Sequence, residues 1–262
     1  ENAVETLQAL RSQWAADIHK QSQSLAEIQN ALKLDSPPNR IECYDISNTQ
    51  GTAMVGSMVV FERGTPSKKL YRRFNIKSVE WPDDFASMEE VLKRRFKRWQ
   101  SDQEKNAVGN KTDPSFGVLP DLLIVDGGKG QLSRANKVLS EFALDDEITA
   151  AGLAKEHELI YLPGKDHAIE LPRNSQGLFL LQRIRDEAHR FAITAHRNLR
   201  KKQNFISRLD QIPGIGKARK KALLKKFGSV KGITQAETAE LAKVPGISLD
   251  LAKIIHEHLA KS

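Results

Sequence analysis

The stretch Leu122–Gln131, Leu-Leu-Ile-Val-Asp-Gly-Gly-Lys-Gly-Gln, constrains the fold most. Its four successive apolar residues, Leu122 to Val125, describe a strand buried on both faces, which α/β proteins place at the centre of a sheet. The run stops at Asp126, and Gly127, Gly128 and Gly130 free the backbone for a tight turn. A helical pattern follows through Leu132, Ala135, Val138, Leu139 and Phe142. A carboxylate at the end of a central strand sits where open α/β sheets keep their chemistry. An aspartate that merely caps the following helix would leave the same pattern, and this stretch alone does not separate the two readings.

The preceding segments supply neighbours for that strand. Val4 to Leu34 has a helical stripe (Leu7, Leu10, Trp14, Ile18, Leu25, Ile28, Leu32), ended by Asp35-Ser-Pro-Pro-Asn39. That helix either packs on the next domain or serves as a partner-binding arm. Arg40 to Asn48 reads as a strand with Cys43 and Asp45 on one face and Glu42, Tyr44 and Ile46 on the other. Ala53 to Arg63 and Lys68 to Ile76 read as two further strands, joined by the turn Gly64–Ser67, so three consecutive antiparallel strands are expected. Cys43 reads as a small buried hydrophobe. Ser87 to Trp99 reads as a helix with Ser87 as N-cap and Glu90 completing a capping box. Its basic run, Lys93, Arg94, Arg95, Lys97 and Arg98, is either a solvated face or a phosphate contact. Gln100 to Pro120 reads as a polar loop.

Thr149 to Lys155, Glu158 to Leu162 and Ala168 to Leu171 look like short strands. A long helix then runs from Gln176 to about Lys201, with Leu178, Leu181, Ile184, Ala188, Phe191, Ala195 and Leu199 as its stripe. His189 and His196 lie beside the stripe, where a histidine is ordinarily structural. Gln203 to Leu209 reads as a linker. The tail repeats a motif, Ile212-Pro-Gly-Ile-Gly216 and Val244-Pro-Gly-Ile-Ser248, each copy followed by a helix. Such turns present backbone N–H groups at a helix N-terminus, which can grip phosphates without reading bases. Lys217, Arg219, Lys220, Lys221, Lys225 and Lys226 crowd the first copy.

The chain as a whole has 262 residues and a formal net charge of +8, which fits a large domain plus a small one and a polyanionic partner. A single cysteine excludes a disulfide framework and a zinc site built from several thiolates. With no apolar run of membrane-spanning length and no signal peptide, a cytoplasmic protein is expected. The start at Glu1, without methionine, is what a piece of a longer protein would show.

Tyr44-Asp45-Ile46-Ser47, Val125-Asp126-Gly127-Gly128 and Arg185-Asp186-Glu187-Ala188-His189-Arg190-Phe191-Ala192, followed by tandem hairpins, resemble the C-terminal half of the UvrC family, the incision subunits of bacterial nucleotide excision repair. The resemblance runs from about Arg40 to the end. It implies an α/β fold, a ribonuclease-H-like mixed sheet with flanking helices, spanning 37–202. A helical connecting segment at 1–36 would precede it. A linker at 203–209 and an all-α tandem helix-hairpin-helix domain at 210–262 would follow. It also implies catalytic and metal-holding roles for Asp45, Asp126 and His189, with Mg2+ or Mn2+ as the ion. DNA contacts are implied at Gly214, Ile215, Gly216, Lys217, Arg219 and Lys220, and at Gly246, Ile247, Ser248 and Lys253. UvrB is the implied protein partner, reached through a segment upstream of this chain. One departure stands out: Ser248 occupies the place of Gly216, which matters only if the turn needs a positive φ there.

Elementary chemistry agrees with that assignment. Phosphodiester hydrolysis develops charge on phosphate oxygens, and carboxylate-held divalent ions are a common answer. Oxygen ligands with one imidazole suit magnesium or manganese. Two other functions compete: a non-catalytic DNA-binding module, and an enzyme using Gly127-Gly128 to hold a nucleotide. The first would have no use for two buried carboxylates, which are costly unpaired. The second lacks a Gly-x-Gly-x-x-Gly or P-loop spacing.

Overall fold

The computed structural model describes residues 2–49, 52–77, 83–155, 158–210, 212–228 and 230–260, with backbone only at 2–4, 7–10, 12, 48–49, 52–53, 195–208, 210, 230–231 and 260. The chain divides into two compact units, Glu1–Thr194 and Ala195–Ser262.

The first unit is built on a seven-stranded mixed sheet. β5 (Leu122–Asp126) lies inside it, as the unbroken apolar run requires. It runs parallel to β1 (Arg40–Thr49) on one side and to β6 (Thr149–Leu153) on the other. β2 (Thr52–Glu62) pairs antiparallel with β1 and carries β3 (Thr65–Pro66) and β4 (Arg72–Asn75) beyond it. β7 (Ile160–Tyr161) closes the other edge against β6, and Ile169 adds only an isolated bridge to Ile160. The three consecutive antiparallel strands are present, although 68–70 form a turn of 3-10 helix rather than strand.

Helices cover both faces. α1 (Asn2–Leu32) and α4 (Gln176–Asp210) share a core with the face bearing Ile41, Cys43 and Ile124. α2 (Asp84–Ala107) and α3 (Lys129–Glu141) share a second core with the face bearing Tyr44, Leu123 and Val125. Among the described residues of α1 burial is confined to its last turns, through Leu25, Ile28 and Leu32, whereas Trp14 is 70 % and Ile18 44 % exposed. The connecting segment expected at 1–36 therefore contributes its C-terminal part to the core of the first unit. α4 continues unbroken through 203–209, where a linker was expected, and the division between units falls inside it.

α2 starts a turn before the expected Ser87. Asp83 is its N-cap, accepting from the amides of Phe85 and Ala86 at 2.9 and 3.0 Å. Ser87 lies buried inside the helix, and the Glu90 carboxylate takes the Lys77 amide instead of closing a capping box. The helix also extends to Ala107, through the first part of the expected loop.

The basic run on α2 does not form one solvated face. Arg95 is fully buried, and its guanidinium binds Glu42 on β1 and the carbonyls of Phe116 and Val118. Arg40 binds the same carboxylate and the Ser115 carbonyl, and the Tyr44 hydroxyl donates to Glu42 Oε2. Burial alone would raise the Glu42 pKa, but the Arg95 and Arg40 charges outweigh it and hold the carboxylate below its ordinary range. Removing one partner of such a group leaves a buried charge uncompensated. Arg95→Met is accordingly expected to cost about 3–5 kcal/mol in denaturant unfolding. Adding Glu42→Leu should not restore that loss, because it leaves the buried Arg40 guanidinium without that carboxylate. A loss below about 1 kcal/mol in the single variant would mean that water or rearrangement satisfies Glu42 without Arg95.

The second unit is helical: α5 (Lys217–Phe227), α6 (Val230–Gln235), α7 (Thr238–Leu241) and α8 (Leu249–Ala260) surround a core that includes Ile212, Ile215, Val244 and Ile247. The two copies of the sequence repeat thus donate equivalent residues to a shared interior.

Candidate active site

Strand pairing brings the two aspartates together. Tyr44 of β1 is in register with Val125 of β5, so Asp45 and Asp126 stand side by side one residue further on, at the C-terminal end of β5. Alternation puts Asp45 on the face of Ile41 and Cys43, beneath α4. Ala188 of α4 is buried in the same core, and His189 follows it at the margin, 46 % of its side chain exposed. Among the described residues, Asp45, Asp126 and His189 form the one group of three His, Cys, Asp or Glu side chains that could hold a metal ion, with one ligand atom from each within 4.8 Å of the others.

The turn after β5 is not made by left-handed glycines. Gly127, Gly128 and Gly130 are absent from the positive-φ residues, and Gly128 is extended at φ −89° and ψ −158°. What the turn needs is room. A Cβ on Gly152 of β6 would stand 2.9 Å from the Gly127 carbonyl, so the turn can lie against β6 only because that position has no side chain. Asp126 does not cap α3: the N-cap is Gly128, with no side-chain hydrogen bond. Its carboxylate is left for other work.

The electrostatics match that conclusion. Asp45 is 6 % exposed, and its Oδ2 is buried without a hydrogen bond, 3.4 Å from His189 Nδ1. Burial first, and the Asp126 charge second, push the Asp45 pKa up to about 6, with His189 pulling the other way. Asp126 is also raised, by burial, against the charges of Lys155, Arg185 and His189. An orphaned, buried carboxylate oxygen beside a second carboxylate and an imidazole is a donor set that fits a hard divalent cation. Cys43 lies beside them on β1 but is held firmly as the thiol, by burial and then by the two aspartates.

Two contributors escaped the sequence reading. Ser57 of β2 pairs with Asp45 and is buried; its hydroxyl lies 3.4 Å from the carbonyls of both Asp45 and Ala188 and can donate to either one. It lies between the strand of the first aspartate and the helix of the histidine, and its one trace in the sequence is a hydroxyl within an apolar strand. Lys155 lies two residues beyond Leu153, which pairs with Asp126, and its charge bears on both aspartates. The sequence pattern places it at the end of a strand, whereas β6 stops at Leu153. Asp186 pairs with Arg185 while its charge also bears on Asp126, and Arg190 pairs with Glu187. His196 lies on α4, its side chain outside the described residues.

The tail residues fall into four groups. Gly214 and Gly246 have φ of +87° and +82°. The Ile215 and Ile247 amides return to the carbonyls of Ile212 and Val244, so each Pro-Gly pair forms the centre of a type II turn. Ile215 and Ile247 are buried, and their amides are bonded within the turns. Gly216, Lys217, Ser248 and Lys253 are exposed, and Lys220 is half-buried. Gly216 is extended at φ −92°, so the serine at 248 meets no strain, and its hydroxyl accepts from the Leu251 amide in the first turn of α8. Arg219 donates to the carbonyls of both Gly214 and Gly246.

The raised aspartate has a measurable consequence. Its folded pKa, about 6, exceeds the unfolded 3.8, so the folded state prefers the protonated form. The resulting penalty is complete above pH 6 and disappears as pH falls below 4. Asp45→Asn should thus be more stable than the parent at pH 7.5 with chelator present, by roughly 1–3 kcal/mol, and equal to it near pH 3.5. Thermal melts across that range measure this directly. A variant less stable at every pH would show that the carboxylate is structural.

The model of the UvrC RNAse H endonuclease domain matches residues 29–193, and that of a SAM-like helix-hairpin-helix tandem matches 206–261. A UvrABC system protein C from Symbiobacterium thermophilum is 48 % identical over 99 % of this chain and 43 % of its own length. Another, from Dehalococcoides mccartyi, is 49 % identical over 99 % of this chain and 41 % of its own. The chain spans about two fifths of the length of these relatives. A converging Asp-Asp-His site on a mixed sheet, inside a domain match that covers more than half the chain, places this chain in the UvrC family.

Proposed function

We propose that this chain is the part of a metal-dependent DNA endonuclease that makes the 5′-side incision at damaged DNA in nucleotide excision repair. The observation that carries the reading is the convergence of Asp45 on β1, Asp126 at the end of β5 and His189 on α4, with one buried carboxylate oxygen lacking a hydrogen bond. Asp45 and Asp126 would hold Mg2+ or Mn2+, with His189 as the third ligand. Such an ion, when bound, lowers the pKa of attacking water and neutralises charge developing on the phosphate. The chain's own groups do the rest. The carboxylates sit on a sheet whose register prevents them from moving apart. Ser57 fills the seam between β1 and α4, within reach of a backbone carbonyl on each. Lys155 supplies positive charge beside the carboxylates, suited to a phosphate oxygen. The tail would grip the DNA backbone through exposed lysines and the first amides of α5 and α8. The relatives' name, UvrABC system protein C, motivates UvrB as the protein partner.

Nicking of a bubble duplex with Mn2+ tests the reading. Asp45→Asn and Asp126→Asn should each lower the rate by about a thousandfold or more, the scale of several kcal/mol of lost transition-state stabilisation, while DNA binding persists. His189→Ala separates two roles. Loss of a ligand should weaken Mn2+ binding, read by calorimetry, by about tenfold or more, some 1.4 kcal/mol. Loss of a general base would spare binding and slow only the chemistry. Near-normal nicking by either aspartate variant would overturn the assignment.

A chain ending at Asp210 should keep the fold of the first unit yet lose most of its DNA affinity. The affinity of the intact chain should fall steeply with salt, since lysines and amides meet phosphates. Equal binding by the truncated and intact chains would move the DNA grip to the first unit.

A further inference from the structure

The tandem hairpins are joined by one side chain. Arg219 lies in the first turn of α5, in the first repeat, yet its Nε donates to the Gly246 carbonyl in the second repeat at 2.7 Å. Its Nη1 donates to the Gly214 carbonyl of its own repeat. Both acceptors belong to the positive-φ glycines that define the two type II turns. A Cβ on Gly246 would stand 3.5 Å from Arg219 Nε, so the guanidinium packs directly against the second turn. By composition Arg219 belongs with the lysines around it, as a phosphate contact. By geometry it also has an internal role: the side chain is exposed, yet two of its five donors are committed to backbone carbonyls within the fold.

We propose that Arg219 is a positioning residue, a strut that fixes the spacing and orientation of the two hairpins so that they meet the DNA backbone as one rigid two-point grip. The inference rests on the reading of the tail as a DNA-binding unit. Two turns that present amides to successive phosphates bind well only when their separation is preset, since otherwise each binding event must order the pair. A planar guanidinium reaches two carbonyls from different nitrogens at once, whereas an ammonium on a flexible stem has no fixed fork. The requirement is therefore for arginine and not merely for positive charge.

The test uses the whole chain and a labelled bubble duplex. In the DNA-free protein, the Arg219 Nε–H resonance should exchange slowly with solvent and shift little when DNA is added. Arg219→Lys keeps the charge but should lose about as much affinity as Arg219→Gln, roughly five- to thirtyfold, the scale of coupling between linked sites. The salt slope of Arg219→Lys should equal that of the parent. A direct phosphate contact predicts the opposite: Arg219→Lys binds like the parent, and Arg219→Gln alone loses about one unit of slope. Parent-like binding by Arg219→Lys, or rapid exchange of the Nε–H without DNA, would overturn the proposal. Lys217→Gln and Lys253→Gln test the underlying DNA reading separately. If neither weakens binding, the tail is not the DNA grip, whereas the exchange measurement still decides whether the strut exists.

Discussion

The register between β1 and β5 is the constraint on which the site depends. Side chains alternate along β1, so a slip of one residue would send Asp45 and Cys43 to the α2/α3 face and Glu42 to the α1/α4 face. Both moves would be ruinous: Glu42 would leave Arg95 of α2, and Asp45 would leave Asp126. The Glu42 network makes the correct register much the best one. Two arginines from different elements reach a single carboxylate and, through it, clasp the carbonyls at 115, 116 and 118 on the approach to β5. The same strand therefore carries its lock on one face and its chemistry on the other.

Those two carboxylates are treated in opposite ways. Glu42 is fully buried yet held ionised, because arginine charge outweighs the loss of water. Asp45 is nearly as buried but faces a second carboxylate and a half-exposed imidazole, and its pKa rises. A protein selected only for stability would neutralise both, or bury neither. The strain left at Asp45 and Asp126 is what a site for a cation looks like before the cation is counted. Repulsion that costs stability in the bare chain becomes attraction when a divalent charge sits between the same oxygens.

How much of this the sequence could reveal varies with the kind of interaction involved. The central strand, the two aspartates and the hairpin repeat were legible because each is a local pattern: an apolar run, a residue at its end, a motif stated twice. The Arg95 burial was not, because inside a basic run one arginine looks like its neighbours, and only the fold shows which points at Glu42. The start of α2 was misplaced for a related reason. Ser87 with Glu90 makes a convincing capping box, but Asp83 reaches the first free amides and the helix begins there. The glycines after Asp126 mark a turn, but what they provide is clearance rather than positive φ, at Gly127 and Gly130 and also at Gly152 in another strand. Long-range roles such as that of Ser57 leave almost no local trace.

The tail shows how a repeat can hide a division of labour. Both copies place an apolar residue before Pro-Gly and another after it, and all four of those side chains go into one core. What stays at the surface is the turn itself and the helix start. There the copies differ, glycine at 216 and serine at 248, and the difference is tolerated because the backbone at 216 is extended and needs no special residue. The positions that do need glycine, 214 and 246, are identical, and their carbonyls share one arginine. Identity is therefore retained where the backbone demands it and relaxed where a hydroxyl can cap a helix equally well. The basic residues around the first turn are not interchangeable on the same grounds. Those at the rim supply charge, which any lysine can do, whereas Arg219 supplies directional donors to the turns, which only a guanidinium can do.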